Sequence, residues 1–436
     1  MSSRHSPPTG PFSPGQSVST CYTFFADDCL LHFNEEDFTA KQREDHAANI
    51  TLTAMLQVAL IYMGRRQDYV ALHEVFQEEP WLSTLEVYQR LFEQLMEDVI
   101  PVSHRVFAPR ENFYQQLAKR QLPGDRLGFY MTSGSNLALH NDPDAWQLSA
   151  QLNSKMHFSA HAPDAGIPVP KTVVMKKSEL TSVGADFISA HPEGAMIKIQ
   201  GLAGARNVGY VENLSEAVTF VEEYEDSLDV LLQERLDTNE WQEMTLDLSI
   251  SADSIEINNV RRILFAQGLW VGNYISDQIK LSEAHKSVCL AVGRYVQAQG
   301  YHAPGGLNCG IDFFVRGDDI RVIEINARWT GGLFPAELLK RLGARAEHSV
   351  AFIDMLSPDR MTDYLDLLTD YAATDSLVRN GFRLVPMGFS PFVQSIEGQP
   401  RLYVWQVVIG DFVRFQNTKR DRLGANELPT ADQISL

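Results

Sequence analysis

Residues 310–332, GIDFFVRGDDIRVIEINARWTGG, restrict the fold more than any other stretch of the chain. Two runs of strand composition, Gly310 to Val315 and Ile320 to Asn326, flank a polar turn. Each carries an acid among apolar neighbours: Asp312 in the first, Glu324 in the second, with Asn326 two places on. An unpaired carboxylate is costly to bury. If the runs pair as an antiparallel hairpin through a three-residue loop centred on Asp318, with Gly317 easing the turn, Asp312 faces Glu324. Asn326 then points the same way. Two facing acids repel, so a cation belongs between them. Oxygen donors without His or Cys suit magnesium, which usually shares one or two carboxylates with substrate phosphates. The alternative is an edge hairpin whose acids face solvent.

The overall charge limits the partners. With 37 basic and 56 acidic residues the net charge is −19, which argues against a general binder of nucleic acid or of anionic membranes. A local basic pocket for a phosphate remains compatible with it. Cys21, Cys29, Cys289 and Cys309 show no metal-ligand spacing and read as reduced thiols of a cytoplasmic protein. Residues 1–20, rich in Ser, Pro and Gly and without an apolar core, read as a disordered tail and not a signal peptide. The longest apolar run, 52–63, is shorter than the roughly 20 residues of a membrane span and contains Gln57, so a buried helix is expected.

Along the chain, Ser83 and Glu86 predict a capping box. Leu85, Tyr88, Leu91, Phe92, Leu95, Met96 and Val99 then recur at helical spacing. A short strand is expected over 127–131, and the TSGSN turn after it reads as a polar turn. Strands are predicted at 195–200, through 229–236 and over 243–251, the last from its period-2 alternation. Helices are predicted before Gly300 and from Pro335 to Gly343. The segment 346–436 is expected to begin helical, end strand-rich and fray from 420.

A magnesium–nucleotide site also needs cations and backbone donors. Lys198 sits in mid-strand between apolar neighbours, and Gly201, Gly204 and Gly209 follow in a glycine-rich loop. Such a loop lets N–H groups approach phosphate oxygens, although a plain flexible hairpin loop has the same composition.

Four stretches, in order, carry a family resemblance: NSKMHFSAHAPDAGIPVP, MIKIQGLAGARNVG, LLQERL followed by EMTLDLS, and GIDFF…VIEINARWTGG. Together they resemble the ATP-grasp ligases over residues 151 to about 345. With its N-terminal segment, the layout is most similar to the pre-ATP-grasp plus ATP-grasp peptide ligases of the pheganomycin type. The resemblance implies an α/β (α+β) chain: an N-terminal pre-ATP-grasp domain at 21–150, an ATP-grasp domain at 151–345 and a C-terminal extension at 346–436. It implies ATP and Mg2+ as cofactors. Lys155 and Lys198 would contact the phosphates, and the loop 201–209 would close over them. Gln233, Glu234 and Leu236 would read adenine. Glu243 would bind ribose, with Glu240 as a rival. Asp312, Glu324 and Asn326 would hold magnesium, and Arg328 would face the reacting carboxylate and the transferred phosphoryl group. Arg206 departs from the small residues usual in the loop and either touches the γ phosphate or points outward. Lys155 and Glu234 have surface roles as alternatives, and Arg328 a structural ion pair.

The implied reaction is activation of a carboxylate by ATP as an acyl phosphate, followed by attack of an amine, with release of ADP and phosphate. The substrates would be small molecules, amino acids or peptides among them, with no nucleic acid or membrane as partner and a homodimer left open. Arg261, Arg262, Gln267 and Asn273 are candidate substrate contacts, with Arg262 preferred for a carboxylate. Two alternatives are a catalytically silent nucleotide-binding regulatory protein and a ligase that uses a thiol or hydroxyl acceptor.

Overall fold

The computed structural model describes residues 18–25, 29–33, 35–200, 207–266, 269–344 and 348–424. The tail expected over 1–20 lies outside them up to residue 17, and Ser19 is tied down by a 3.0 Å bond from its backbone N–H to Asp125. Strands β1 (Thr20–Thr23), β2 (Tyr69–His73), β3 (Arg105–Ala108) and β4 (Arg126–Phe129) form a parallel sheet in the order β3-β2-β1-β4. The order reverses between β1 and β4, the position beyond which open α/β sheets bind ligands at their carboxyl ends. Phe24 follows β1 and Tyr130 follows β4, and their rings stack at 4.2 Å.

The apolar run around Gln57 lies in helix α1 (Ala40–Met63), which starts with a capping box between Thr39 and Gln42. Among the described residues this is the one helix with the length and mean hydropathy (1.3) of a membrane span, and 78% of that window is buried inside the protein. Gln57 is accommodated because it donates to Phe24 O (2.6 Å) and accepts from His73 N (2.9 Å). It thereby satisfies two backbone groups at the ends of the parallel strands. Helix α2 (Trp81–Leu95) starts two residues before the expected cap. Ser83 Oγ donates to Glu79 (2.6 Å), and the Ser83/Glu86 capping box does not form.

Strands β5 (Thr172–Lys176), β6 (Ala195–Ile199), β7 (Val208–Val211) and β8 (Asp229–Glu234) make a small antiparallel sheet in the order β5-β8-β6-β7. The largest sheet has nine strands. It contains β9 (Gln242–Ile250), β10 (Ile255–Ala266), β11 (Leu269–Ile275), β12 (Leu307–Arg316), β13 (Asp319–Asn326), β14 (Ser349–Leu356), β15 (Phe382–Phe389), β16 (Gln394–Ile396) and β17 (Gln399–Gly410). Its order is β13-β12-β9-β10-β11-β14-β17-β15, with β16 on β17.

Residues 349–410 thus extend the same sheet as 242–326, through the pairing of Gly272 with Phe352. The C-terminal segment begins with a strand and not the expected helix: seven of the eight β14 residues are buried, as a central strand requires. The helix Phe412–Leu423 runs into the stretch expected to fray, held by buried Phe415 and Leu423. Helix α1 lies on the C-terminal strands so closely that a Cβ at Gly388 of β15 would collide with Met55 O. One apolar core joins α1 and the parallel sheet to β14, β15 and β17.

Candidate active site

The hairpin brings Asp312 opposite Glu324 by a route the residue pattern did not show. The turn has two residues, Gly317 and Asp318, with Gly317 at φ +60°. Arg316 pairs with Asp319, and that register holds to Phe313 and Val322. A bulge at Ile323 then inserts one residue, so Asp312 pairs with Glu324 and Gly310 with Asn326. The three-residue loop is therefore corrected, while the facing acids stand because the bulge restores the register that the shorter turn removes.

Around this pair lies a closed set of charges. Asn326 Nδ2 donates to Asp312 at 3.0 Å, Arg328 donates to Asn326 Oδ1, and Lys155 Nζ meets Glu324 at 2.8 Å. Strand β13 ends at Asn326. A tight bend, with Arg328 N–H donating to Asn326 O at 2.8 Å, replaces the expected continuing strand. The bend turns the Arg328 guanidinium over the Tyr130 ring, 5.7 Å from its centroid. Lys198, 5% exposed, donates to Gln233 Oε1 at 2.8 Å, and Gln233 is fixed in turn by Thr172 (3.0 Å).

Burial dominates the titration of these groups. It pushes Asp312 up to about 6, helped by repulsion from Glu324. Burial also pushes Glu243 up to about 8, with Asp312 and Glu324 adding to it. Burial and the Lys155 charge bring Lys198 down to about 8. Glu324 differs. Burial would raise it, but Lys155, Lys198 and Arg328 outweigh that and hold it below the usual glutamate value. A desolvated carboxylate beside a second one is a place for a cation. Among the described residues no three His, Cys, Asp or Glu side chains gather as a metal cage. Two carboxylates with an amide oxygen instead fit a magnesium ion shared with phosphates.

Lys198, Glu243, Asp312, Glu324, Asn326 and Arg328 all line one cavity of about 540 Å3. Arg261 lines it too, and its guanidinium forms a buried 2.6 Å ion pair with Asp247. The preferred carboxylate ligand, Arg262, is corrected: it occupies the opposite face of β10, 5.7 Å from the Tyr274 ring centroid, and does not line the cavity. Asn273 does line it. Glu234 ends β8 with its N–H bonded to Lys171 O (2.8 Å), and Leu236 lies just beyond. Both are half-buried and neither lines this cavity. Glu240 is exposed and pairs with Arg316 at 2.7 Å, which leaves Glu243 as the acid inside. Gly209 sits in β7, where a Cβ would come 2.5 Å from the Phe220 ring, so packing requires that glycine. Gly201, Gly204, Arg206 and Gln267 lie outside the described residues.

Several cavity residues were not anticipated. Phe24 and Tyr130 come from the parallel sheet, and Leu52 and Leu56 from α1. His32 lies near the charges: burial lowers it to about 4, with Lys155 and Arg328 adding to the effect. A glycine pair is explained in the same place. A Cβ on Gly331 would come 2.9 Å from the Trp270 ring, and one on Gly332 would come 2.5 Å from Arg261 Nε. No local sequence signal marks the aromatic and α1 contributions, because they depend on the docking of two distant sheets.

No protein-family model matches the sequence, and no curated protein matches it. Solved structures do match. An N5-carboxyaminoimidazole synthetase from Staphylococcus aureus, in complex with ADP, aligns at 12% identity over 93% of this chain and 97% of that one, with a TM-score of 0.56. A carboxyaminoimidazole ribonucleotide synthase from Aspergillus clavatus, in complex with ATP, aligns at 13% over 96% and 99%, TM-score 0.52. The biotin carboxylase domain of the Hydrogenobacter thermophilus 2-oxoglutarate carboxylase, crystallised with MgADP and bicarbonate, aligns at 10% over 95% and 91%, TM-score 0.50. Identities this low speak for the fold: the chain is a mixed α/β protein with the ATP-grasp fold.

Proposed function

We propose that the protein is an ATP-dependent, ADP-forming ligase that activates a small-molecule carboxylate and joins it to an amine. The observation that carries this reading is the cluster at the β12–β13 hairpin. Facing Asp312 and Glu324 share one cavity with Lys198 and Arg328, and Lys155 pairs with Glu324 from beside it, on a fold whose solved examples include complexes with ADP and ATP.

In the reaction, a carboxylate oxygen attacks the γ phosphorus, ADP leaves, and an acyl phosphate forms. An amine then attacks the acyl carbon, phosphate leaves, and the amine nitrogen loses its proton. The protein's contribution is alignment and charge neutralisation. Lys198 and Lys155 offset polyphosphate charge. Magnesium held by Asp312, Glu324 and the Asn326 amide oxygen would supply further positive charge at the phosphates. Arg328, fixed by Asn326 and the Tyr130 ring, can grip a carboxylate through two parallel hydrogen bonds. Glu243, protonated at neutral pH, can both donate to and accept from a ribose hydroxyl. Phe24, Tyr130 and α1 cover the cavity and exclude water from the acyl phosphate.

The pheganomycin-type resemblance suggests an amino acid or peptide as acceptor. Incubating the protein with MgATP and pairs of amino acids, with ADP release followed and products read by mass spectrometry, tests this. ADP release that depends on both partners, with an amide product, is the expected result. MgATP binding without pool-dependent ADP release would make the protein a silent nucleotide binder.

A further inference from the structure

The cavity lies on one face of the nine-stranded sheet, and that face changes character along the strand order. Register places Glu324, Asp312, Thr245 and Arg261 side by side across β13, β12, β9 and β10. Beyond Arg261 the cavity walls on β11, β14 and β17 include Val271, Ile353, Met355, Tyr403 and Trp405, with Leu52 and Leu56 among those α1 supplies opposite. No charged side chain from β11, β14, β17 or α1 lines this arm.

The uncharged, mainly apolar walls set the class of occupant, and three polar residues interrupt them. Asn49 Nδ2, Asn273 Oδ1 and Trp405 Nε1 have no hydrogen-bond partner, and their residues are 7%, 2% and 1% exposed. All three line the cavity. Buried polar atoms are nearly always satisfied; these two N–H donors and one acceptor are shielded from the open cavity, although their residues line it. The ribonucleotide in the neighbours' names carries a phosphate, and among the described residues this arm has no cation to hold one.

We propose that the arm from β11 to β17 under α1 is a substrate subsite for a bulky, uncharged, mainly apolar group of branched-aliphatic or aromatic size. The substrate's reacting end would lie toward Arg261 and Arg328. This rests on the ligase reading and names its substrate class: an amino acid with a large apolar side chain, and not a small, multiply charged or sugar-phosphate compound. The hydrocarbon walls select that substrate by size.

The test is calorimetry of the full-length protein with L-phenylalanine, L-leucine, glycine, L-glutamate and ribose 5-phosphate, each with and without MgATP. Phenylalanine and leucine are expected to bind at least ~10-fold more tightly than the other three, the scale of burying one large apolar side chain. Leu52→Trp, at a half-buried helix position that projects into the arm, should weaken phenylalanine binding at least ~10-fold while MgATP affinity stays the same. Leu56→Ala, a milder change, should shift the preference toward larger side chains. Tighter binding of glutamate or ribose 5-phosphate, binding of none of the five, or indifference of phenylalanine to both variants would overturn the proposal. Failure of MgATP alone to bind would instead strike the ligase reading, and the nucleotide-free titrations would still decide the arm.

Discussion

Replacing Lys198 by methionine should stabilise the nucleotide-free protein while it removes a phosphate contact. The ammonium is 5% exposed and gives up its proton near pH 8 instead of 10.5. Keeping it charged at pH 7 therefore costs about 3 kcal/mol. Methionine removes that cost but strips Gln233 Oε1 of its 2.8 Å donor, a loss of about 1–2 kcal/mol. The net gain at pH 7 is about 1–2 kcal/mol. Between about 8 and 10.5 the unfolded chain holds a proton that the folded one has released, so wild-type stability rises with pH there. The variant lacks that rise, and by pH 10 the wild type should be the more stable of the two. Urea midpoints of both proteins at pH 7 and pH 10 measure this directly. Calorimetry with a non-hydrolysable ATP analogue at pH 7 should show at least ~10-fold weaker binding, the scale of one charge-assisted hydrogen bond. A variant less stable at pH 7, or a stability difference indifferent to pH, would refute the buried-charge argument. Unchanged nucleotide affinity would remove Lys198 from the phosphate site.

The two facing acids should respond differently to neutralisation. Asp312→Asn removes a carboxyl pushed up to about 6; above that pH it should raise the melting temperature by the equivalent of about 1–2 kcal/mol and abolish ADP release. Glu324→Gln leaves Lys155 buried without its 2.8 Å partner and should lose about 3 kcal/mol along with activity; equal melting shifts for the pair would contradict the assigned ion pair. Arg328→Lys should fold and bind ATP nearly normally but lose turnover by at least ~100-fold, read as ADP release beside calorimetric ATP affinity; parallel loss of both would assign Arg328 to the nucleotide. Gly332→Ala places a Cβ 2.5 Å from Arg261 Nε and should cost about 1–3 kcal/mol by displacing the guanidinium from Asp247, with a normal melting temperature as the contrary result.

What the residue pattern disclosed, it disclosed locally. Asp312, Glu324 and Asn326 stand out because acids in apolar strands demand a partner, and a turn signal lies between them. The bulge at Ile323 left no such mark, and the facing pair came out correctly only because turn length and bulge offset each other. Arg261 and Arg262 show the converse case. Either could face the site, and the choice depends on the phase of β10, which shifts by one residue between Ile257 and Asn259 against β9. Strand β14, SVAFIDML, carries Asp354 among apolar residues, and its place next to β11 is a pairing between segments about 80 residues apart that no short window can show. Helix α1 was legible as buried, but that it roofs a cavity follows only from its docking on β15 and β17.

The gradient along the nine-stranded sheet divides labour by strand. On the proposed reading, the phosphoryl chemistry belongs to β9, β12 and β13, next to one edge, whereas the walls that meet the substrate's body belong to β11, β14 and β17, and β10 carries Arg261 between them. Mutational change can therefore accumulate on one half of the sheet without touching the other. On that reading, swapping Val271, Ile353 or the facing residues of α1 changes what is selected, while the Asp312–Glu324 pair on β12 and β13 stays in register. A directed-evolution library confined to those wall positions would sample new substrates against a constant catalytic background.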